Sequence, residues 1–186
     1  EQAPLLYWPV LATDLTNPTY YIERAAFKND KIMGTQVFLD FNLYQLLGFR
    51  NPPPGTKWSL STDYFSDRGP ALGTNYTYAG ETLFGIPGPY TGLLDAWGIY
   101  DQGEDFLGRG RARLTPEEEF RGRILGRHRH YLPNDWRFTA EVGLISDRNF
   151  LEAYFEQEWN NNKDATTGIE LKHLDENRSF SVTADV

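Results

Sequence analysis

His128 and His130 stand two residues apart in Arg127-His128-Arg129-His130, which puts both imidazoles on one face of an extended strand. Metal sites use that spacing, but a site needs a third ligand, and the remaining histidine, His173, is remote in sequence. A structural pair, or one turned toward a polar interior, asks for fewer further groups than a metal centre. Arg121, Arg123, Arg127 and Arg129 share the opposite face of the same segment. Such a row is either a solvated or ion-paired face, or a cationic patch touching phosphorylated or acidic material. Rows of charge are more often the former.

Carboxylates are plentiful: Asp101, Glu104, Asp105 and the run Glu117-Glu118-Glu119. Glycoside hydrolysis needs two of them facing each other across a cleft, and nothing in the spacing selects a pair. The glutamate run has a capping explanation, because Thr115-Pro116-Glu117-Glu118 reads as a capping box opening a helical turn. No nucleophile elbow, phosphate loop or dinucleotide fingerprint is present, and no histidine neighbours a candidate nucleophile. The absence of cysteine excludes disulfides, thiolate metal sites and cysteine nucleophiles. The sequence reads as a protein that is not an enzyme and needs no cofactor.

The elements that would carry these residues are strands. Turn punctuation recurs at Asn17-Pro18, Lys28 to Lys31, Asn51 to Gly55, Asp67 to Pro70, Pro87 to Pro89, Pro133 to Asp135, Asn160 to Asp164 and Asp175 to Asn177. Between these sites apolar and polar residues alternate. Trp136, Phe138, Ala140, Val142 and Leu144 point one way, and Arg137, Thr139, Glu141 and Gly143 the other. Val37, Leu39, Phe41 and Leu43 oppose Phe38, Asp40, Asn42 and Tyr44. Trp58, Leu60, Thr62 and Tyr64 oppose Lys57, Ser59, Ser61 and Asp63. Phe180, Val182, Ala184 and Val186 oppose Ser179, Ser181, Thr183 and Asp185. Short turns between long segments predict an all-β fold with an antiparallel, long-stranded sheet. Asp147 to Trp159 spaces its apolar residues at helical intervals, which predicts helix at its start behind Ser146 or Asp147, and strand near its end. Leu83 to about 112 is rich in Gly and Pro without a sustained period and reads as a long excursion loop.

Composition leaves two settings for such a sheet. With 18 Lys+Arg against 26 Asp+Glu and a net charge of -8, the chain lacks a basic stripe, so nucleic acid is an improbable partner. No apolar run approaches the ~18 residues of a membrane helix. A hydrophobic content of 40% and a mean hydropathy of -0.56 fit a soluble β-sandwich or barrel and a membrane β-barrel equally. The polar faces fit the second as well, being built of Ser, Thr, Asn, Asp and Gly rather than Lys and Glu, with aromatics at the ends of apolar faces, but aromatic-rich sandwiches share these features and pattern alone leans slightly to a soluble β-domain. The first methionine is Met33, so residue 1 is expected to follow a removed leader or to lie within a longer chain.

Order and wording add a resemblance. Leu6-Tyr7-Trp8-Pro9-Val10, a strand from Gly34 to Leu47, the stretch Trp58 to Gly69 ending in Ser66-Asp67-Arg68-Gly69, and Gly73-Thr74-Asn75-Tyr76-Thr77-Tyr78 follow one another. Then come Arg121-Gly122-Arg123-Ile124-Leu125-Gly126-Arg127-His128, Asn134-Asp135-Trp136-Arg137-Phe138-Thr139-Ala140-Glu141 and Ile145-Ser146-Asp147-Arg148-Asn149-Phe150. This series resembles the entry into the barrel of the LptD (organic-solvent-tolerance protein) family of lipopolysaccharide-assembly outer-membrane proteins, and its divergent, planctomycete-like members most. The resemblance implies non-catalytic transport of a lipopolysaccharide-like glycolipid into the outer leaflet of the bacterial outer membrane. It implies outer-membrane lipid, a plug lipoprotein and periplasmic bridge proteins as partners. Residues 1–28 would end a periplasmic jelly-roll or its connection, and 29–186 would form the first barrel strands with the loop at about 83–112. Arg137, Thr139, Glu141, Lys57, Ser59, Ser61 and Asp63 would face the lumen. Family members tend to carry prolines in the first two barrel strands beside a lateral opening; Pro52, Pro53 and Pro54 hold the first such place, while Thr62 holds the second. The alternative is a soluble secreted β-domain that binds carbohydrate through aromatics such as Trp97 and Tyr100 in the long loop.

Overall fold

Alternating segments joined by tight polar turns pair most readily with the segment just made. A computed structural model describes residues 21–108, 110–116, 118–160, 167–175 and 178–185, and it shows that outcome. The strands are β1 (Ile22–Asp30), β2 (Gly34–Asn42), β3 (Thr56–Phe65), β4 (Gly69–Leu83), β5 (Ile86–Tyr100), β6 (Asp105–Phe106), β7 (Ala112–Leu114), β8 (Phe120–Leu132), β9 (Trp136–Ile145), β10 (Gly168–Asp175) and β11 (Arg178–Asp185). Nine of them form one sheet in the order β1-β2-β3-β4-β5-β8-β9-β10-β11, every neighbour antiparallel; β6 and β7 form a separate small hairpin. The fold is all-β, as expected. Among the described residues β1 and β11 do not pair with each other, so the sheet is open.

Register decides what each face carries, because a strand shows alternate residues to opposite sides. One row runs Lys57, Thr77, Leu93, Arg127, Glu141 across β3, β4, β5, β8 and β9. A parallel row runs Ser61, Gly73, Trp97, Arg123. On the other side Thr62, Leu72, Gly98 and Gly122 share a row, as do Leu94, Gly126 and Val142. The sheet thus has one predominantly polar face and one predominantly apolar face.

Among the described residues three short helices interrupt the strands: α1 (Leu43–Leu46), α2 (Phe150–Tyr154) and α3 (Glu156–Asn160). The α1 turn takes Leu43 and Tyr44 out of the expected β2 alternation, because the Asn42 side chain caps the Gln45 amide at 3.1 Å. Helix at the start of the 147–159 stretch is observed, but its end is α3 rather than the expected strand. The apolar residues there, at i, i+4 and i+5 from Phe150, form one side of a helical turn that packs onto the sheet. Thr115, Pro116 and Glu118 are in no helix, and Glu117 lies outside the described residues.

The largest departure concerns the long loop expected at about 83–112. Residues 86–100 are instead β5, a 15-residue strand joined to β4 by the two-residue turn Phe84-Gly85. Both turn residues have positive φ (50° and 80°), the hairpin geometry that matches strand twist. Pro87 and Gly88 sit within the strand, and Gly92 leaves the space that the Tyr78 ring fills. The period was hidden because the apolar-face positions Gly92, Ala96 and Gly98 of β5 carry little or no side chain. The expected boundary at 28/29 likewise falls inside β1, which is a full member of the sheet from Ile22. Residues 1–20, including Asn17-Pro18 and the Leu6 to Val10 stretch, lie outside the described residues.

Candidate functional site

The polar face carries every lumen-facing candidate. Lys57, Ser59, Ser61 and Asp63 on β3 and Arg137, Thr139 and Glu141 on β9 fall on the same side through the register of β4, β5 and β8. So do Arg121, Arg123, Arg127 and Arg129 on β8. The arginine row is largely ion-paired. Arg127 faces Glu141 at 3.5 Å, Arg137 meets Glu170 at 3.2 Å, and Arg123 bonds Glu158 while lying 3.6 Å from Asp95. The Arg123 guanidinium also sits 3.6 Å above the Phe155 ring.

The segment carrying α2 and α3 folds back over this face as a strap. Phe150 and Leu151 are buried against Phe65, Ala71 and Ile99, with Trp97, Tyr154 and Phe155 packed around them. Asp147 starts the strap. Its carboxylate accepts from the Asn149 amide at 3.0 Å and its carbonyl from Phe150, so it serves the helix start although the N-cap position itself is Asn149.

Beneath the strap lies a cluster that sequence reading did not assemble. Arg68 Nη1 donates to both Asp101 oxygens (3.2 and 3.0 Å) and to Asp105 Oδ1 at 3.1 Å. Arg121 Nη1 donates to Asp101 and Asp105 at 2.8 Å each, and its Nε and Nη2 grip Asp147 at 2.9 and 3.0 Å. The Tyr154 hydroxyl donates to Asp101 at 2.7 Å, and both guanidiniums stand 5.6 Å from the Tyr154 ring centre. Two guanidiniums thus face three carboxylates where the Arg68, Arg121, Asp101 and Asp105 side chains are at most 1% exposed. Burial pushes the Asp101 carboxyl up, but Tyr154, the Gly103 amide, Arg121 and the Arg68 charge outweigh it and hold the group below the ordinary carboxylate value. Asp147 is held down the same way: burial is outweighed by Arg121, Ser146 and the Asn149 amide. Burial, with Asp101 adding to it, raises the Tyr154 phenol, which therefore stays a donor at neutral pH.

The cluster joins the β3–β4 turn, the β5–β8 connection, the start of β8 and the end of β9 at one end of the sheet. Its parts were visible in Asp67-Arg68-Gly69, in Asp101 with Asp105, and in Ser146-Asp147. Only the strand order brings them together. Asp101 and Asp105 are therefore charge partners of arginine and not an opposed acid pair across an open cleft.

The remaining candidates are placed elsewhere. Pro52, Pro53 and Pro54 lie in the exposed connection between α1 and β3, outside any ladder, so they interrupt no strand pairing; the Pro53 carbonyl caps Thr56 instead. His128 and His130 face the apolar side, where His128 Nδ1 pairs with the Tyr78 hydroxyl at 3.0 Å and stacks on its ring. No group of three metal-ligating side chains forms among the described residues. Trp97 is in β5 on the polar face, with its Nε1 donating to Asp63 at 2.8 Å, and Tyr100 ends β5 with its hydroxyl on Glu119. A cavity of about 620 Å³ opens between the strap and the polar face, beside Trp97 and Asp63.

No protein-family model matches the chain, and no curated protein matches it either.

Proposed function

We propose that the chain forms part of the wall of a bacterial outer-membrane β-barrel of LptD type, which conducts a lipopolysaccharide-like glycolipid to the outer leaflet. The single observation that carries the barrel reading is the composition of the apolar face; the LptD type and its cargo are taken from the sequence resemblance alone. Leu72, Leu94, Ile124, Leu144, Ile169 and Val182, one from each strand β4, β5, β8, β9, β10 and β11, are each more than half exposed. In water a contiguous apolar face of that breadth is a liability; in hydrocarbon it costs nothing.

Aromatic rings border this band at both ends, as membrane interfaces favour. Trp58, Tyr76, Tyr78, His128, Tyr90 and His130 contact one another in sequence across four strands at one end. Tyr64, Tyr100 and Phe120 stand exposed at the other. On β5 the two borders are Tyr90 and Tyr100; ten residues span roughly 33 Å along a strand, or roughly 25 Å across the bilayer at a tilt of about 40°. The two longest connections, 101–119 and 146–167, are at the Tyr100 end, and the turns 84–85 and 133–135 are at the other, together with the intermediate connection 43–55. Barrels of this kind keep short turns in the periplasm, which supports placing the strap and its ion cluster on the extracellular side.

On this reading β1 and β11 meet further strands, because open edges are not tolerated in hydrocarbon. The polar face would line the lumen, and a plug lipoprotein and periplasmic bridge proteins remain the expected partners. Arginine placed at Val142 or Leu60, on the apolar face, should block assembly into the outer membrane, at a cost of about 2–4 kcal/mol near mid-bilayer. Arginine at Thr139 or Ser61, on the polar face, should not. Equal tolerance of both pairs would overturn the proposal.

A further inference from the structure

The cavity under the strap is lined by a carboxylate that has one buried oxygen without a donor among the described residues. Asp63 is 92% buried (8% exposed) and lines the cavity; its Oδ2 accepts from Trp97, while its Oδ1 has no hydrogen-bond partner among the described residues. A buried acceptor left unpaired is costly, so the site is suited to a donor that the described residues do not supply. The cavity's cations are already engaged: Arg24 with Asp40 at 2.6 Å, Lys28 with Asp30 at 3.2 Å, and Arg123 with Glu158 and Asp95. An anion would meet Asp63, Asp95 and Glu156 without a free cation among these three to offset them. The rest of the lining mixes small and uncharged polar residues, Gln36, Ser61, Thr74 and Asn75 among them, with the rings of Phe38, Trp97, Tyr154 and Phe155. A flat apolar surface beside one unpaired acceptor fits a ligand that carries hydroxyl or amino donors on the rim of an apolar ring face. At about 620 Å³ the cavity lies in the usual range of small-ligand sites, about 300–1,000 Å³.

We infer that this cavity is a saccharide subsite which takes a neutral or amino sugar unit, rather than a phosphorylated one, with Asp63 Oδ1 accepting from a sugar hydroxyl or amine and Trp97 beside the ring. The inference rests on the conduit reading for the origin of the sugar, namely the headgroup of the transported glycolipid. The strap then forms one wall of the subsite through Tyr154 and Phe155, so the ion cluster that fixes the strap also fixes the site.

The test uses the full chain folded in a zwitterionic detergent without a sugar headgroup. Ligand-observed saturation-transfer NMR is recorded with a glucosamine disaccharide, a glucose disaccharide and inorganic phosphate. Saturable transfer from a disaccharide, unaffected by excess phosphate, is expected. Asp63→Asn keeps an acceptor for Trp97 but turns a donor or a weaker acceptor toward the ligand, and should weaken binding by about tenfold or more. Ser61→Trp, which fills the cavity from the same strand face, should abolish it. No transfer in the native chain, equal binding by Asp63→Asn and Ser61→Trp, or displacement of sugar by phosphate would each overturn the subsite. Bilayer insertion is measured on the same samples to keep the two readings apart. Insertion without sugar binding sinks the subsite alone, and sugar binding by a chain that does not insert sinks the conduit reading alone.

Discussion

Arg121 and Asp101, twenty residues apart in the chain, meet at 2.8 Å with neither side chain more than 1% exposed. The contact closes the 101–119 excursion by tying its first residue to the second residue of β8. The same guanidinium then holds Asp147, the first residue of the strap, so one side chain fixes both long connections at that end of the sheet.

Removing that hub should be severe. Arg121→Ala leaves Asp101, Asp105 and Asp147 close together with one cation fewer among them, and breaking a buried pair typically costs about 3–5 kcal/mol. Urea unfolding of the detergent-folded chain reads this directly. A loss below about 1 kcal/mol would show that water or Arg68 replaces it.

Acid should release the strap before it unfolds the sheet. Asp101 and Asp147 are held below their unfolded value of about 4, so the folded state binds their protons more weakly than the unfolded state does. Their contribution is complete above about pH 5 and is lost as pH falls through about 4 toward the folded values. Protection factors across residues 147–160, taken after correction for the intrinsic pH dependence of amide exchange, should fall on that descent while the amides of β4, β5 and β8 stay protected. Asp101→Asn should flatten the dependence. Protection factors across 147–160 that hold steady down to about pH 3, or that fall only toward alkaline pH, contradict the assignment.

Two glycines on one strand should behave differently. A Cβ on Gly122 would stand 2.7 Å from the Trp97 carbonyl oxygen and 3.1 Å from the Gly98 Cα, which are backbone atoms of the neighbouring strand. A Cβ on Gly126 would meet only the Leu94 and Val142 side chains, at 3.3 and 3.7 Å. Gly122→Ala should therefore lower stability by about 1–3 kcal/mol by forcing β5 and β8 apart, and Gly126→Ala by much less. Thermal unfolding of the two variants side by side checks the order.

How much of this was legible depended on whether a signal was local. Trp136 to Leu144 could be read as a strand because each apolar-face position carries a large apolar group or alanine. β5 could not, since Gly92 and Gly98 occupy apolar-face positions to admit Tyr78 and Phe120, and this leaves the period without amplitude. The polar set on β3 and β9 was readable as a face, but not as one shared surface until β4, β5 and β8 were placed between them. The ion cluster was least accessible. Arg68, Asp101, Asp105, Arg121, Asp147 and Tyr154 come from different connections and strand ends, and charge type alone cannot say which of 18 cations and 26 carboxylates will meet. The strap's second half was misread because apolar residues at Tyr154 and Phe155 suit either a two-sided strand or the junction of two short helices.

The central claim is that one face of the sheet meets lipid and the other meets water. The chain has no cysteine, so single spin-labelled cysteines can be placed in turn from 136 to 144 along β9 with no background. In bilayer-reconstituted protein, labels at 138, 140, 142 and 144 should be relaxed by lipid-soluble oxygen, and labels at 137, 139, 141 and 143 by a water-soluble nickel chelate. A period of two, with the two reagents out of phase, is the predicted result. Uniform access of the nickel chelate to both sets, or oxygen and nickel rising and falling together, would contradict it.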